Sequence, residues 1–119
     1  MEFPEVTIRA NQELMKEVWI NLLHNAIKFS PDYGPLQVRI SRQPGAVQVQ
    51  IVNSGRIPQE ELSRIFQKFY QADRSHFSAG NGVGLAIVKK IVELHRGTVQ
   101  AESKNGAVIF TVTLPEETA

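Results

Sequence analysis

The sequence predicts an α+β fold: a two-layer sandwich of antiparallel strands with helices on one face. Two observations predict it. Two long stretches carry apolar residues at helical spacing, and two pairs of short segments alternate apolar and polar residues around a turn. At 119 residues with 42% hydrophobic side chains, the chain is one domain's worth and can bury a single core.

Val6 and Ile8 suggest a short opening strand. Asn11 is placed to cap a long helix running to about Lys28, with Leu14, Val18, Leu22 and Ala26 at a four-residue repeat. Ser30-Pro31-Asp32-Tyr33-Gly34-Pro35 ends it. Leu36, Val38 and Ile40 then alternate with polar residues, Gln43-Pro44-Gly45 turns the chain, and Val47, Val49 and Ile51 complete a hairpin. Pro58 opens a short helix through Leu62, Ile65 and Phe66. Residues 71–82 are polar, glycine-containing and aperiodic, which reads as a loop. Val83, Ile87, Ile91 and Leu94 mark one face of a second long helix, stopped by Gly97. Strands around Thr98–Ser103 and Val108–Leu114 close the chain, meeting at the hairpin dipeptide Asn105-Gly106.

Composition removes several function classes. The formal net charge is +1, and the basic residues are scattered, so nucleic acid and anionic membrane surfaces are not expected partners. There are no cysteines, which excludes disulfides, thiolate metal sites and cysteine catalysis. No apolar run approaches the roughly 18 residues of a bilayer span, and the N-terminus lacks a signal pattern. A soluble, cytoplasmic domain is expected.

Three features carry chemistry. At about 100° per residue, Asn21, Asn25 and Lys28 lie within roughly 60° of one another, at the edge of the first helix's apolar face. An amide oxygen suits Mg²⁺ and an ammonium suits the phosphates that such an ion bridges, although three polar residues on a helix face are also commonplace. In Asn53-Ser54-Gly55, the asparagine is in phase with Val47, Val49 and Ile51. Its side chain should point under the helices, where an amide needs partners and an adenine edge would supply them; a turn closing the strand would look the same. Gly80-Asn81-Gly82-Val83-Gly84-Leu85 precedes the second long helix, and exposed backbone N–H groups at a helix N-terminus form an anion site, or simply a hinge. The strand that a dinucleotide fingerprint needs immediately before its glycines is missing, as is the Gly-Lys-Ser/Thr of a P-loop.

In order and spacing these segments resemble the sensor histidine kinases. Asn21-Leu22-Leu23-His24-Asn25-Ala26-Ile27-Lys28-Phe29-Ser30-Pro31 is similar to that family's asparagine box, and Asn53-Ser54-Gly55-Arg56-Ile57-Pro58 to its first glycine box. Arg64-Ile65-Phe66-Gln67-Lys68-Phe69-Tyr70 resembles the phenylalanine box, and Gly80 to Leu85 the second glycine box. The resemblance covers nearly the whole chain. It implies the Bergerat fold, with a mixed, mostly antiparallel sheet covered on one face by about three helices. It also implies ATP and Mg²⁺ as ligands. Asn25 would bind the metal, Asn21 phosphate or the metal's waters, and Lys28 phosphate; these three form the catalytic set. Asn53 would read adenine beside Gly55 and Ile57. Tyr70, Gly80, Gly82, Val83, Gly84 and Leu85 would complete the ATP site, with residues 71–82 as its lid.

Two departures accompany the resemblance. Asn53 stands where the family usually has Asp, in a box one residue short and without a second glycine. Gln71 stands where many members have Arg, with Arg74 nearby. The family's phosphoacceptor histidine lies on a separate dimerisation domain, and none of His24, His76 and His95 resembles it. The expected partners are therefore that dimerisation and phosphoacceptor domain and a response regulator, with the chain itself monomeric and its parent kinase membrane-anchored. The competing readings are a domain of the same fold that no longer binds nucleotide, kept for interaction, and a serine-kinase anti-sigma factor.

Overall fold

Asn11 starts the first helix by accepting the Leu14 N–H on its side-chain oxygen at 3.0 Å, the role its position predicts. The structure is a computed structural model and describes residues 10–29, 36–67 and 84–116, with Lys28 and Phe29 described in backbone only. Helix α1 (Gln12–Phe29) is followed by β1 (Leu36–Gln43), β2 (Ala46–Ser54), the short α2 (Gln59–Leu62), α3 (Gly84–Leu94), β3 (Thr98–Lys104) and β4 (Ala107–Pro115). The expected opening strand at Val6 and Ile8 and the loop at 71–82 lie outside the described residues.

The four strands form one sheet in the order β1-β2-β4-β3, and every pairing among them is antiparallel. Pro44-Gly45 and Asn105-Gly106 make the two hairpin turns; Asn105 and Gly106 both take positive φ, 52° and 76°, as a two-residue turn of this kind requires. Alternation sorts the sheet cleanly. Val47 and Ile51 of β2 and Val108, Phe110, Val112 and Leu114 of β4 turn toward the helices and are buried. The opposite face carries Gln48, Gln50, Thr111 and Thr113, with side-chain contacts from Gln48 to Thr113 and from Gln50 to Thr111.

Helices α1 and α3 lie side by side on the apolar face. Val18, Leu22 and Ala26 of α1 are fully buried against the sheet, and Leu62, Ile65 and Phe66 close the core from the α2 segment. Two expectations need correction. Leu14 is 37% exposed and Met15 takes its place in the core. A strict four-residue repeat advances about 40° beyond a full turn at each step, so a residue at one end of such a run leaves the buried face. In α3 the buried face is Leu85, Val88, Ile91 and Val92, while Ile87 and Leu94 face outward at 39% and 66% exposure.

The end of α3 differs too. Arg96, not Gly97, takes the left-handed conformation, with φ of 63°. The Gly97 N–H bonds the Val92 carbonyl at 2.9 Å and the Arg96 N–H bonds the Glu93 carbonyl at 3.0 Å, the two bonds of a Schellman cap. Gly97 is needed for another reason: a Cβ there would stand 2.3 Å from the Thr113 carbonyl oxygen. His95 ties the helix pair together at this end. Its Nδ1 lies 2.8 Å from the Ile91 carbonyl, which can only accept, so the ring carries its proton there and Nε2 accepts the Asn11 N–H at 3.0 Å.

Candidate nucleotide site

Asn53 ends the inward-facing series of β2 and is 1% exposed, the burial its phase predicts. Its Nδ2 donates to the Ser54 carbonyl at 2.9 Å. Its Oδ1 is buried with no hydrogen-bond partner among the described residues. A buried acceptor left unpaired costs about 1–3 kcal/mol, so this oxygen is where a ligand's donor has most to gain. An exocyclic amino group, such as that of adenine, is such a donor.

After Asn53 the chain leaves the sheet through Gly55, whose φ of 143° favours glycine. The Gly55 N–H bonds the Gly106 carbonyl at 3.0 Å, and the Ile57 N–H bonds Ser103 Oγ at 3.0 Å. Ile57 itself is 2% exposed and belongs to the core. The loop thus crosses the end of β4 and is fastened to the β3–β4 hairpin at two points. In register, Asn53 pairs with Val108, and Ser103 pairs with the same Val108 from the other side. The three form one row on the helix-covered face, which places Asn53 and Ser103 two strand spacings, about 10 Å, apart.

The amides of α1 are oriented by their own helix. Asn21 Nδ2 donates to the Glu17 carbonyl at 2.7 Å, and Asn25 Nδ2 to the Asn21 carbonyl at 2.8 Å. The nitrogen ends are committed to the backbone, which leaves the oxygens as the ends available to a cation or donor. Asn21 and Asn25 are half-buried, and both stand against the first residue of α3: a Cβ on Gly84 would lie 2.8 Å from Asn21 Oδ1 and 3.7 Å from Asn25 Nδ2. Gly84 therefore brings the N-terminal end of α3 up to the asparagine pair, the end at which a helix's first N–H groups have no partner within the helix. Leu85 follows at 7% exposure, so its side chain is packed inward while its backbone stays in the first turn.

The structure thus brings together Asn21, Asn25 and Gly84, and separately Asn53, Gly55 and Ile57. Lys28 lies on α1 one turn beyond Asn25, but its side chain is outside the described residues, as are Tyr70, Gly80, Gly82 and Val83. Residues 71–82, Phe69 and Arg74 are outside them too. His24 is solvent-exposed. Ser103 was not among the residues singled out from the sequence. The available signal was its phase: it continues the inward series Val99 and Ala101 as a polar residue. The apolar groove of about 310 Å³ between Trp19 and Leu23 of α1 and Val38 and Ile40 of β1 contains none of these residues. It lies at the β1 edge, and the chemistry lies at the strand ends.

Residues 10–118 match the family described as histidine kinase-, DNA gyrase B- and HSP90-like ATPase. The chain is 40% identical over 114 residues to the circadian input-output histidine kinase CikA of Synechococcus elongatus, which covers 92% of this chain and 15% of that protein. It is similar to full-length ShkA solved in complex with AMPPNP, with a TM-score of 0.83 and 28% identity over 98% of this chain and 24% of that one. It is also similar to histidine kinase ThkA solved with the response regulator TrrA, with a TM-score of 0.76 and 29% identity, covering 92% of this chain and 30% of that one. The chain therefore spans under a third of the length of each of these relatives.

Proposed function

The chain belongs to the histidine kinase-, DNA gyrase B- and HSP90-like ATPase family, and from that premise we propose that it is the catalytic domain of a sensor histidine kinase. It binds Mg-ATP and supplies the γ-phosphoryl group to a histidine on a separate dimerisation domain. A response regulator then receives the group, and the parent kinase is membrane-anchored with this domain on the cytoplasmic side. Among the described residues no helix is long and apolar enough to cross a membrane.

The observation that carries the reading is the buried, unpartnered Oδ1 of Asn53. It accepts from the adenine amino group, with Gly55 and Ile57 bounding the base. Asn21 and Asn25 offer amide oxygens, which suit a hard cation that takes few protein ligands and shares the rest with phosphates. Asn25 holds the ion and Asn21 meets phosphate or the ion's waters; Lys28 adds positive charge toward the same phosphates. When bound, Mg²⁺ neutralises phosphate charge. The chain's own groups orient the triphosphate and hold it against the α3 N-terminus at Gly84 and Leu85, where backbone N–H groups favour an anion. A domain kept only for interaction would have no use for a buried acceptor left unpaired among the described residues.

Calorimetric titration with ATP, with and without Mg²⁺, tests the binding. Addition of a dimerisation domain carrying the acceptor histidine, with γ-labelled ATP, tests the transfer. Binding that requires Mg²⁺ and label on histidine are expected. A chain that binds no nucleotide under either condition defeats the proposal.

A further inference from the structure

Ser103 is joined to the candidate base pocket by one hydrogen bond, from the Ile57 N–H to its Oγ at 3.0 Å, between residues 46 positions apart. Of the two ties that fasten the Gly55–Ile57 loop, the one from Gly55 ends on a backbone carbonyl, that of Gly106, and is indifferent to side-chain identity. The Ser103 tie is not. It is made by a side chain that projects from the inward face of β3, in the same row as Asn53 and Val108. The two ends of that row differ: Asn53 carries an unpartnered acceptor, and Ser103 fixes the backbone of Ile57.

We propose that Ser103 is a positioning residue for nucleobase recognition, setting the place of Ile57 relative to Asn53 so that an adenine-sized base fits between them. The inference rests on the nucleotide-binding reading above. Ile57 is 2% exposed, so its N–H finds no water to replace the hydroxyl. Without Ser103 Oγ the N–H is left unpaired or the loop shifts to expose it. Both disturb the wall of the base site, whereas neither touches Asn21, Asn25 or Gly84, where the phosphates are held.

The test uses the 119-residue chain with Ser103→Ala, Ser103→Thr and Ser103→Cys, each checked for folding by its urea transition. Calorimetry gives the affinities for Mg-ATP and Mg-GTP. Ser103→Ala should weaken Mg-ATP about tenfold, the order expected when a buried donor loses its acceptor, and the ATP-to-GTP affinity ratio should shrink with it. Ser103→Thr keeps the acceptor and should restore both to within about threefold. General loosening of the fold would weaken both nucleotides alike and leave the ratio unchanged; that result overturns the proposal, as does a Ser103→Ala chain that binds Mg-ATP like the wild type. If Ser103→Ala does not fold, Ser103→Cys, of similar size but a weak acceptor, carries the same comparison. A wild-type chain that binds no Mg-ATP removes the nucleotide reading and this inference together, whereas an unchanged ratio in a wild-type background that binds removes the inference alone.

Discussion

The Asn53 side-chain nitrogen donates to the Ser54 carbonyl at 2.9 Å, and this bond decides which end of the amide meets a ligand. Turned end for end, the amide would set its oxygen against the carbonyl oxygen of Ser54, acceptor against acceptor, so the exchange is unfavourable whatever occupies the pocket. An asparagine free to rotate could match adenine or guanine equally. This one is held with its oxygen as the end left for a ligand, the end a carboxylate would present.

ATP should therefore be preferred over GTP by at least about tenfold, because guanine presents a carbonyl oxygen where adenine presents an amino group. Asn53→Leu should abolish measurable nucleotide binding while changing apo stability by no more than about 1 kcal/mol, since the leucine removes an unpartnered acceptor together with one bond to the Ser54 carbonyl. Competition between ATP and GTP on the two proteins, alongside urea unfolding, checks both halves. Undiminished ATP affinity in the leucine variant would show that this side chain does not face the base.

The legible and illegible parts of this fold divide along physical lines. Strand period is close to two, so counting from Val47 was enough to place the Asn53 side chain under the helices. The hairpin at Asn105-Gly106 followed from the positive φ that both positions need. Helix faces were less legible. Helix α3 carries an apolar arc of roughly 180° opposite Lys89, Lys90 and Glu93, wide enough that its Ile87 and Leu94 edge is as plausible from sequence as the edge the sheet selects. The asparagine pair could be read as one stripe because both sit on one helix. Its apposition to Gly84, and the bond from Ile57 to Ser103, join segments far apart in the chain and leave no periodic trace.

Asn25→Ala should remove most of the Mg²⁺ dependence of ATP binding, a loss of about tenfold in affinity at saturating metal, without lowering stability. Alanine is the better helix former, and among the described residues the Asn25 amide bonds only to a carbonyl of its own helix, an arrangement that contributes little. Titrating ATP at several Mg²⁺ concentrations is the check. An alanine variant whose affinity still rises with Mg²⁺ as in the wild type would show that Asn25 is not the metal ligand.

Gly84→Ala separates function from folding. At most helical positions this substitution stabilises by roughly 0.5–1 kcal/mol. Here the new methyl would stand 2.8 Å from Asn21 Oδ1, the end of a side chain that can rotate away. The fold should accommodate it with little change in the unfolding midpoint, but the Asn21 oxygen would leave the place proposed for it beside the phosphates. Mg-ATP affinity should fall severalfold. Equal affinity at equal stability would mean that the Asn21 oxygen is not part of the site.

The turn after α3 gives two neighbouring substitutions of opposite sign. Arg96 holds φ of 63°, where a Cβ is unfavourable and glycine is not, and the Schellman bonds around it are made by backbone alone. Arg96→Gly should therefore raise stability by about 0.5–1 kcal/mol, the relief of the left-handed strain less the extra entropy glycine gives the unfolded chain. Gly97→Ala should do the reverse. Its methyl would lie 2.3 Å from the Thr113 carbonyl oxygen, 2.9 Å from Leu114 Cδ2 and 3.1 Å from Val92 Cγ1. The first of these is backbone in a paired strand and cannot rotate aside, so α3 must lift from β4 at a cost of about 2–3 kcal/mol. The two midpoints, measured in urea against wild type, should move in opposite directions. If Arg96→Gly were destabilising while Gly97→Ala still lowered the midpoint, the glycine after the helix would be the left-handed residue, and the cap assigned to Arg96 would be one position out.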